Sequence, residues 1–343
     1  MNNIKIFSVD DAEWDDIVRS FVNYDIYYHR GYVRAFQIHG DGLPELMYYQ
    51  TSDLRALYVY MKRELNNGWF DIITPYGYGG ILFEGKICDD RLRKFNDEFI
   101  AFMRSSKVVD NFVRFHPVLG NADVNRSICD VTDLGRTINI DLASEETIWN
   151  NFTSKTRNMI RKAEKNGVEI KHGKGLELLD TFIGIYNQTM DNDNADVYYY
   201  FDRKFYESVD RDLREHYEIF YAVYEEKIIG MSIMLFANNY MHYHLSGSLS
   251  EYRKLAPTNL LLYQAALWGV SQGFRSLHLG GGIGSNDDAL YGFKKGFNRS
   301  CNLQFSIGKQ IFDHEKYKDL VDMRISLEPN FDKSSSFFPL YRS

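Results

Sequence analysis

Apolar runs separated by short polar turns predict a series of strands in the second half of the chain. Three successive strands are predicted at residues 217–224, 228–236 and 241–246, joined by two short polar turns. A helix follows at residues 257–272, because Pro257 lies near its start and Gly273 lies just past its end. The order in this half is therefore three antiparallel strands followed by a long helix.

A glycine-rich stretch follows this helix and leads to a pair of lysines. Residues 277–297 read LHLGGGIGSNDDALYGFKKGF, which predicts a short buried strand, a tight glycine turn, a loop with two aspartates and a short helix. Successive glycines allow a sharp turn or a close approach of the backbone to another group. We therefore predict a tight exit from the strand beside a binding cleft.

The first half of the chain gives weaker patterns. Helices are predicted at residues 10–21 and 91–103, and strands at residues 44–49, 70–74, 113–117 and 137–142. One long helix is predicted to begin at the N-cap Ser144 and to end at Gly167. With 343 residues, the chain is too long for one ordinary core, and we predict two domains, at residues 1–140 and 141–343.

Composition and charge narrow the possible functions. A net charge of −7 argues against broad, non-specific binding to nucleic acid or to an anionic membrane. The three cysteines are isolated, and no HExxH or other metal-ligand spacing is present, so no metal is predicted. The first residues lack a signal-peptide pattern, and no hydrophobic run reaches the roughly 18 residues of a membrane helix. These features predict a cytoplasmic protein.

One strongly basic region interrupts this acidic chain. Residues 153–175 contain seven Lys or Arg residues and two Glu residues. The cations fit a solvated helix face, where they suit the C-terminal end of the helix dipole. They also fit a site for phosphate groups, which Lys and Arg bind through charge-assisted hydrogen bonds. Arg157 and Arg161 lie one turn apart and would bind such a group together.

The element order of the second half resembles the acetyltransferase (GNAT) fold. In that fold the strand before the long helix splays from its neighbour, the acyl donor pairs with the exposed strand, and phosphates bind at the helix N-terminus. Residues 240–247 would be that strand, and the loop at residues 248–256 would hold a pyrophosphate. The resemblance implies a donor site with these members: Ser246, Gly247, Arg253, Lys254 and Asn259. The loop lacks the Q/R-x-x-G-x-G/A signature of ordinary coenzyme A users.

The basic segment carries a more specific resemblance. TSKTRNMIRKAEKNGVEI resembles the K-x-R-x-x-I-x-x-A-x-x-x-G-V hallmark of the Fem peptidoglycan-bridge aminoacyltransferases and of the FemAB-like and BioF2-like acyltransferases of the GNAT superfamily. A Y-x-x-T-M…YYF segment and the LYGFK motif follow at the family's spacing. The resemblance covers residues 140–310, and the first half matches more weakly through YDIYYHRGYVRAF and TPYGYGG. It implies a mixed α/β fold with tandem GNAT-like domains, the first one degenerate.

The resemblance also assigns roles to individual residues. Lys294, which follows Phe293, would stabilise the oxyanion of acyl transfer. The alternative interpretation is a solvent-exposed lysine on an amphipathic helix. Arg157 would bind a substrate phosphate and face Lys294 across a groove, with Lys295 and Arg161 as second candidates. Further substrate contacts are expected from three tyrosines, of which the first two would line an acceptor groove between the domains: Tyr76, Tyr78 and Tyr200.

Three functions are compatible with the sequence. The first is an N-acyltransferase that uses an acyl-CoA-type donor to modify an amine of a cell-envelope or polysaccharide precursor, and the basic helix would suit a phosphate-bearing acceptor. The second is an aminoacyltransferase that uses aminoacyl-tRNA to build a peptidoglycan bridge, which the acidic net charge of −7 weakens. The third is a GNAT-like domain that binds a ligand without catalysis, which the missing pyrophosphate signature would fit.

Overall fold

The computed structural model describes residues 3–301, 303–328 and 330–343. The chain forms two compact units: the first comprises Met1–Leu134 and Phe305–Ser343, and the second comprises Gly135–Gln304. In the described residues no helix is both long enough and apolar enough to cross a membrane.

The described residues contain strands and α-helices in alternation. The strands are β1 (Ile4–Ser8), β2 (Leu43–Gln50), β3 (Leu54–Glu64), β4 (Phe70–Ile73), β5 (Leu82–Gly85), β6 (Val108–Arg114), β7 (Asp130–Asp141), β8 (Glu169–Gly173), β9 (Tyr217–Tyr224), β10 (Lys227–Ala237), β11 (Tyr240–Ser248), β12 (Ser276–Gly280) and β13 (Leu303–Ile311). The α-helices are α1 (Trp14–Ser20), α2 (Arg30–His39), α3 (Asp89–Ser105), α4 (Ala122–Asn125), α5 (Glu145–Asn151), α6 (Ser154–Lys165), α7 (Leu176–Asn192), α8 (Arg203–Asp212), α9 (Pro257–Ser271), α10 (Ala289–Lys295) and α11 (His314–Leu327).

The first unit is built on the strand order β1-β2-β3-β4-β6-β13, with β5 also pairing with β3. Strands β2, β3 and β4 pair antiparallel, the long helix α3 follows, and β6 then pairs parallel with β4. The core of this unit lies where the apolar side of α3 packs on the sheet, through Phe95, Phe99 and Met103. A parallel strand reached through a helix is the usual crossover geometry.

The second unit repeats this order with the strands β7-β12-β11-β10-β9-β8. Strands β9, β10 and β11 pair antiparallel, the long helix α9 follows, and β12 then pairs parallel with β11. Helix α9 is apolar on nearly all sides, and most of its residues are buried in the core of the unit. Each unit therefore has three antiparallel strands, a helix and a parallel strand, as expected for tandem GNAT-like domains.

The prediction of one long helix from Ser144 to Gly167 is wrong in one respect, because the structure has two helices in this range. The chain leaves helical geometry at Phe152 and Thr153, where ψ is 143° and 155°. The Thr153 hydroxyl accepts a hydrogen bond from the Thr156 amide and so caps α6. The Phe152 ring is fully buried against Phe297, at a centroid distance of 5.2 Å. A cap and an anchored aromatic ring at this position therefore end one helix and begin the next.

The division of the chain differs from the predicted domains at residues 1–140 and 141–343. Residues 305–343 belong to the first unit, because β13 pairs antiparallel with β6 from Ile307, opposite Arg114, to Ile311, opposite Asp110. The C-terminus is held to the same unit by Tyr341, whose hydroxyl donates to the Asp110 carboxylate at 2.6 Å. Pairing between strands far apart in sequence does not show in local hydrophobic patterns.

Candidate active site

Strand β11 separates from β12 after three residues. Tyr240, Met241 and His242 pair with β12, whereas the pairing of β11 with β10 continues to Ser248. Beyond His242 the described residues show no further pairing of β11 with β12, so the backbone edge of β11 is open there. A register shift between Ile233 and Met234 marks a β-bulge, which bends the strand. The second unit therefore has the splayed pair of strands expected of a donor-binding sheet.

A cavity of about 590 Å³ lies at the open end of β11. Its volume is within the usual range for a small-molecule site. It is formed by the end of β11, the N-terminus of α9, the C-terminal end of α7 and one side of α10. Six of the residues predicted from the sequence line it together: Ser246, Gly247, Arg253, Asn259, Phe293 and Lys294.

Lys294 is the buried cation of this cavity. Its side chain is on α10, and the residue is only 8% exposed. The Nζ atom donates a hydrogen bond to the carbonyl oxygen of Gly281 at 2.7 Å. Burial lowers the pKa of Lys294 to about 8, and the nearby Asp288 carboxylate partly opposes this effect. The solvent-exposed alternative for Lys294 therefore does not match the structure.

Asp288 fixes the short helix that carries Lys294. One carboxylate oxygen accepts from the Tyr291 amide at 2.7 Å, and the other accepts from the Ile283 amide at 2.9 Å. These backbone hydrogen bonds lower the pKa of Asp288. The loop also packs tightly, since a Cβ atom on Gly282 would lie 2.2 Å from the carbonyl oxygen of Asn286. The glycines and Asp288 thus hold the loop that positions Lys294.

The N-terminus of α9 forms the opposite part of the cavity. Ala256 precedes the helix in the left-handed region, with φ at 56°, and Pro257 is its first residue. No side chain caps this end, and Thr258 and Asn259 of the first turn line the cavity. Arg253 is exposed, and its guanidinium has no hydrogen-bond or ion-pair partner within the described part of the chain. An uncapped helix N-terminus beside an arginine favours an anionic group.

Comparison with known proteins agrees with this geometry. A family model for the acetyltransferase (GNAT) domain matches residues 150–295. Residues 150–295 form a GNAT acyltransferase domain. The GNAT domain includes α6, β11, α9 and Lys294. A search of curated proteins found no match to the sequence.

Three solved structures are similar to nearly the whole chain. FemX is 13% identical over 92% of this chain and 99% of its own, with a TM-score of 0.70. The C-terminal domain of a putative lysylphosphatidylglycerol synthetase from Agrobacterium fabrum is 14% identical over 91% and 93%, with a TM-score of 0.56. A tandem GNAT protein from the clavulanic acid biosynthesis pathway is 8% identical over 90% and 98%, with a TM-score of 0.50. At these identities the likeness is one of fold, and the predicted FemAB-like tandem GNAT fold is confirmed, as is the predicted acyltransferase class.

Helix α7 supports the open strand of the GNAT domain. A Cβ atom on Gly247 would lie 2.8 Å from the Tyr186 Cα atom, so only glycine allows this approach of α7 to β11. The Ser248 amide donates to the Thr189 hydroxyl at 3.0 Å. That bond uses the last amide of β11 and leaves the earlier part of the open edge accessible.

Arg157 lies elsewhere in the GNAT domain. Its guanidinium donates to the carbonyl oxygens of Trp149 at 3.0 Å and Phe152 at 2.7 Å. These carbonyls belong to the end of α5, where backbone acceptors lack partners within the helix. Arg157 is absent from the described lining of the Lys294 cavity, so the structure does not bring the two predicted residues together there. Arg157, which is on α6, therefore stabilises the break by donating to carbonyl oxygens at the end of α5.

The remaining predicted residues are also outside this cavity. Arg161 is exposed, with its guanidinium carbon 5.2 Å from the Trp149 ring centre. Lys254 is exposed and does not contribute to the described lining, and Lys295 donates to the carbonyl oxygen of Cys301 at 2.6 Å. The Tyr200 hydroxyl donates to Asp191 at 2.7 Å. Of the two adjacent cations in the loop, only Arg253 reaches the cavity.

Tyr76 and Tyr78 are in the first unit, outside the GNAT domain. The Tyr76 ring stacks on Phe36 at a centroid distance of 5.3 Å, and its carbonyl oxygen accepts from the Tyr32 hydroxyl at 2.6 Å. Tyr78 packs edge-on against Tyr27, and burial raises its pKa well above the ordinary tyrosine value. Both tyrosines therefore have packing roles inside their own unit.

Sequence reasoning missed the contribution of α7 to the cavity. Thr189, Met190 and Asp193 line it, and Asp193 is the one carboxylate among the described lining residues. The Y-x-x-T-M motif contains two of these residues, so the motif was a signal that the prediction did not assign to the site. Asp193 follows α7 in a polar loop with several similar acids, and local sequence does not single it out.

Proposed function

We propose that the GNAT domain transfers an acyl group from a CoA-type thioester to a primary amine of a cell-envelope or polysaccharide precursor. The observation that carries this proposal is the buried ammonium group of Lys294 in the wall of a cavity, with an open strand edge and an uncapped helix N-terminus around it. A buried cation is costly to keep, so its place beside an open cavity is best explained by a negative charge that develops there.

The reaction needs an oxyanion stabiliser and a proton acceptor. The amine nitrogen attacks the thioester carbonyl carbon, a C–N bond forms, and the C–S bond then breaks to release the thiol. Lys294 has three donor hydrogens and uses one on Gly281, so the other two are free for the oxyanion of the tetrahedral intermediate. Asp193 is our candidate acceptor for the proton that the attacking amine loses.

The other side of the cavity supports a CoA-type donor. A thioester arm would pair with the open edge of β11 between Tyr243 and Gly247, and its phosphates would lie at the N-terminus of α9 beside Arg253. The missing glycine signature in this loop is offset by Ala256, which supplies the left-handed turn before the helix with φ at 56°. The loop therefore enters the helix through a left-handed residue without the usual glycines.

An aminoacyl-tRNA donor is the second candidate, and one surface of α6 favours it. Lys155, Arg161, Lys162 and Lys165 are exposed, and no carboxylate in the described residues forms an ion pair with them. Such a basic surface suits an RNA backbone. The amine acceptor and the attack on an activated carbonyl group are the same in both candidates, so only the donor differs.

Calorimetric titration of the full chain with acyl-CoAs, and separately with aminoacyl-tRNA, tests the proposal. Binding of an acyl-CoA that weakens in Arg253→Gln supports the thioester donor. Binding of aminoacyl-tRNA alone, weakened by replacement of Lys155 and Lys162 with Gln, would replace it with the second candidate. Binding of neither donor would contradict both and leave a ligand-binding protein without catalysis.

A further inference from the structure

A second cavity, of about 690 Å³, lies in the first unit and takes no part in the proposed reaction. It is formed by one face of β3, β4, β6 and β13, by α11 and by residues 336–342 of the C-terminal segment. Its volume is in the range of small-molecule sites. We call it the C-terminal cavity.

The lining of the C-terminal cavity is strongly cationic. None of the described residues that line it is an aspartate or a glutamate. Five of them are cations: Arg63, Arg114, Lys309, Arg324 and Arg342. On an ordinary solvated sheet face, cations and carboxylates are mixed, because opposite charges across strands stabilise each other. A concave surface whose charged lining residues are all cations favours an anionic ligand.

Three of the five cations are already paired with carboxylates that are not part of the described lining. Arg63 and Arg342 both bind Asp71, and Arg324 binds Glu328 at 2.7 Å. Asp110 is also outside the described lining, and burial raises its pKa to about 7 and so reduces its negative charge near neutral pH. These carboxylates leave two positive charges in the lining without a neutralising partner.

Arg114 and Lys309 are those two cations. Register places Arg114 opposite Ile307 and Lys309 opposite Phe112, so the two cations are diagonal neighbours on one face of β6 and β13. Neither forms an ion pair within the described residues, and Lys309 donates only to the carbonyl oxygen of Ser336, at 3.2 Å. Arg114 and Lys309 therefore keep N–H donors without a described carboxylate partner in the lining of the same cavity.

Aromatic rings lie beside the two free cations. The guanidinium carbon of Arg114 is 5.4 Å from the Phe112 ring centre, and the Lys309 Nζ atom is 5.6 Å from that of Phe338. The two rings line the cavity with their centroids 6.3 Å apart. A planar ring of a ligand would pack against the edges of these two rings while its anionic group binds the cations.

We infer that the C-terminal cavity binds a small molecule in which a phosphate or diphosphate group is attached to a planar ring, as in a nucleoside diphosphate. Phosphate matches the arginine donors in charge and in geometry. The proposal does not depend on the reaction proposed for the GNAT domain, because each residue that carries it belongs to the first unit.

Calorimetric titration of the full chain with guanosine diphosphate, pyrophosphate and guanosine tests this site. Arg114→Gln and Lys309→Gln should each weaken guanosine diphosphate binding about tenfold, which corresponds to one lost charge-assisted contact. Lys318→Gln removes an exposed cation from α11 outside the cavity and should leave binding unchanged. The melting temperature of each variant shows whether it is folded.

The control ligands test the role of the aromatic rings, and the variant Arg253→Gln tests in which cavity the nucleotide binds. Guanosine diphosphate should bind more tightly than pyrophosphate or guanosine alone, because only it contacts both cations and rings. Equal binding of pyrophosphate would overturn the role of the rings, and no binding by any probe would overturn the site. Weaker binding in Arg253→Gln, with Arg114→Gln unaffected, would place the nucleotide in the GNAT donor cavity and would also overturn it.

Discussion

The Nζ atom of Lys294 donates to the carbonyl oxygen of Gly281 at 2.7 Å, which ties the end of α10 to the glycine-rich exit of β12. The glycines of this exit therefore act through their backbone, since a Cβ atom on Gly281 would lie 2.9 Å from the carbonyl oxygen of Arg136. One carbonyl dipole holds a buried cation at the cavity wall, and the remaining ammonium hydrogens stay available for substrate.

Replacement of Lys294 by alanine should reduce kcat about 10²- to 10³-fold while donor binding is largely retained, as expected when one oxyanion donor is removed. Steady-state kinetics of acyl transfer and calorimetric donor binding measure the two effects. Lys295→Ala is the matched comparison, because Lys295 is on the same helix but donates to Cys301 and is outside the described cavity lining. An unchanged kcat in Lys294→Ala would show that the role assigned to Lys294 is wrong.

The pKa of Lys294 predicts an alkaline limit on activity. Its pKa is lowered to about 8, so the ammonium group is charged below that pH and is lost as the pH rises through it. We therefore expect kcat to fall above pH 8, measured with saturating donor and acceptor. In Lys294→Arg the guanidinium stays charged, so any residual activity should lack this decline. A wild-type kcat that stays constant through this pH range would contradict the role of the ammonium.

The same shift predicts a change in stability with pH. The folded pKa is about 8 and the ordinary value is 10.5, so the unfolded chain binds the Lys294 proton more tightly between these values. The cost of burying the charged form is fully present below pH 8 and is relieved as the pH rises toward 10.5. The free energy of unfolding should therefore rise over this range by about 3 kcal/mol more in the wild type than in Lys294→Met. Urea denaturation at several pH values measures the difference, and parallel curves for the two proteins would show that Lys294 is not desolvated.

Local sequence patterns predicted the strands and helices of the GNAT domain better than they predicted its tertiary contacts. Strand β9 is an apolar run closed by a polar turn, and α9 is bounded by Pro257 and Gly273, so both could be predicted. The expected cavity is formed by β11, α9, Phe293 and Lys294. The break at Thr153 was hidden because helical periodicity continues across it, and only the threonine cap and the buried Phe152 ring show it. The partners of Arg157 depend on where α5 ends, which a predicted single helix does not show. Asp193 joins the cavity through the packing of α7 on β11, a tertiary contact without a sequence pattern.

Arg253 and Lys254 are adjacent cations that the structure separates by role. Arg253 lines the cavity beside the N-terminus of α9, whereas Lys254 is exposed outside the described lining. Arg253→Gln should raise KM for the donor about tenfold with little change in kcat, because it removes a ground-state contact with the donor phosphates. Lys254→Gln should change KM much less. A larger effect of Lys254→Gln would show that the wrong cation was assigned to the donor.

Gly247 should be intolerant of even a single methyl group. A Cβ atom there would lie 2.8 Å from the Tyr186 Cα atom and 2.9 Å from the Ile185 carbonyl oxygen, so α7 or β11 must shift. We expect Gly247→Ala to destabilise the fold by about 1–3 kcal/mol and to raise KM for the donor, because the open strand edge moves with it.

Gly230→Ala is the control for Gly247→Ala. Gly230 pairs with Ser248 across the sheet, and neither Gly230 nor Gly247 has a positive φ. A Cβ atom on Gly230 would lie 3.5 Å from its nearest neighbour, the Ser248 Cβ atom, which is an ordinary contact. Its substitution should change stability by no more than about 0.5 kcal/mol. Chemical denaturation and donor titration of both variants measure the two effects. Equal stabilities of the two alanine variants would show that α7 does not constrain β11, and the donor edge would then need another support.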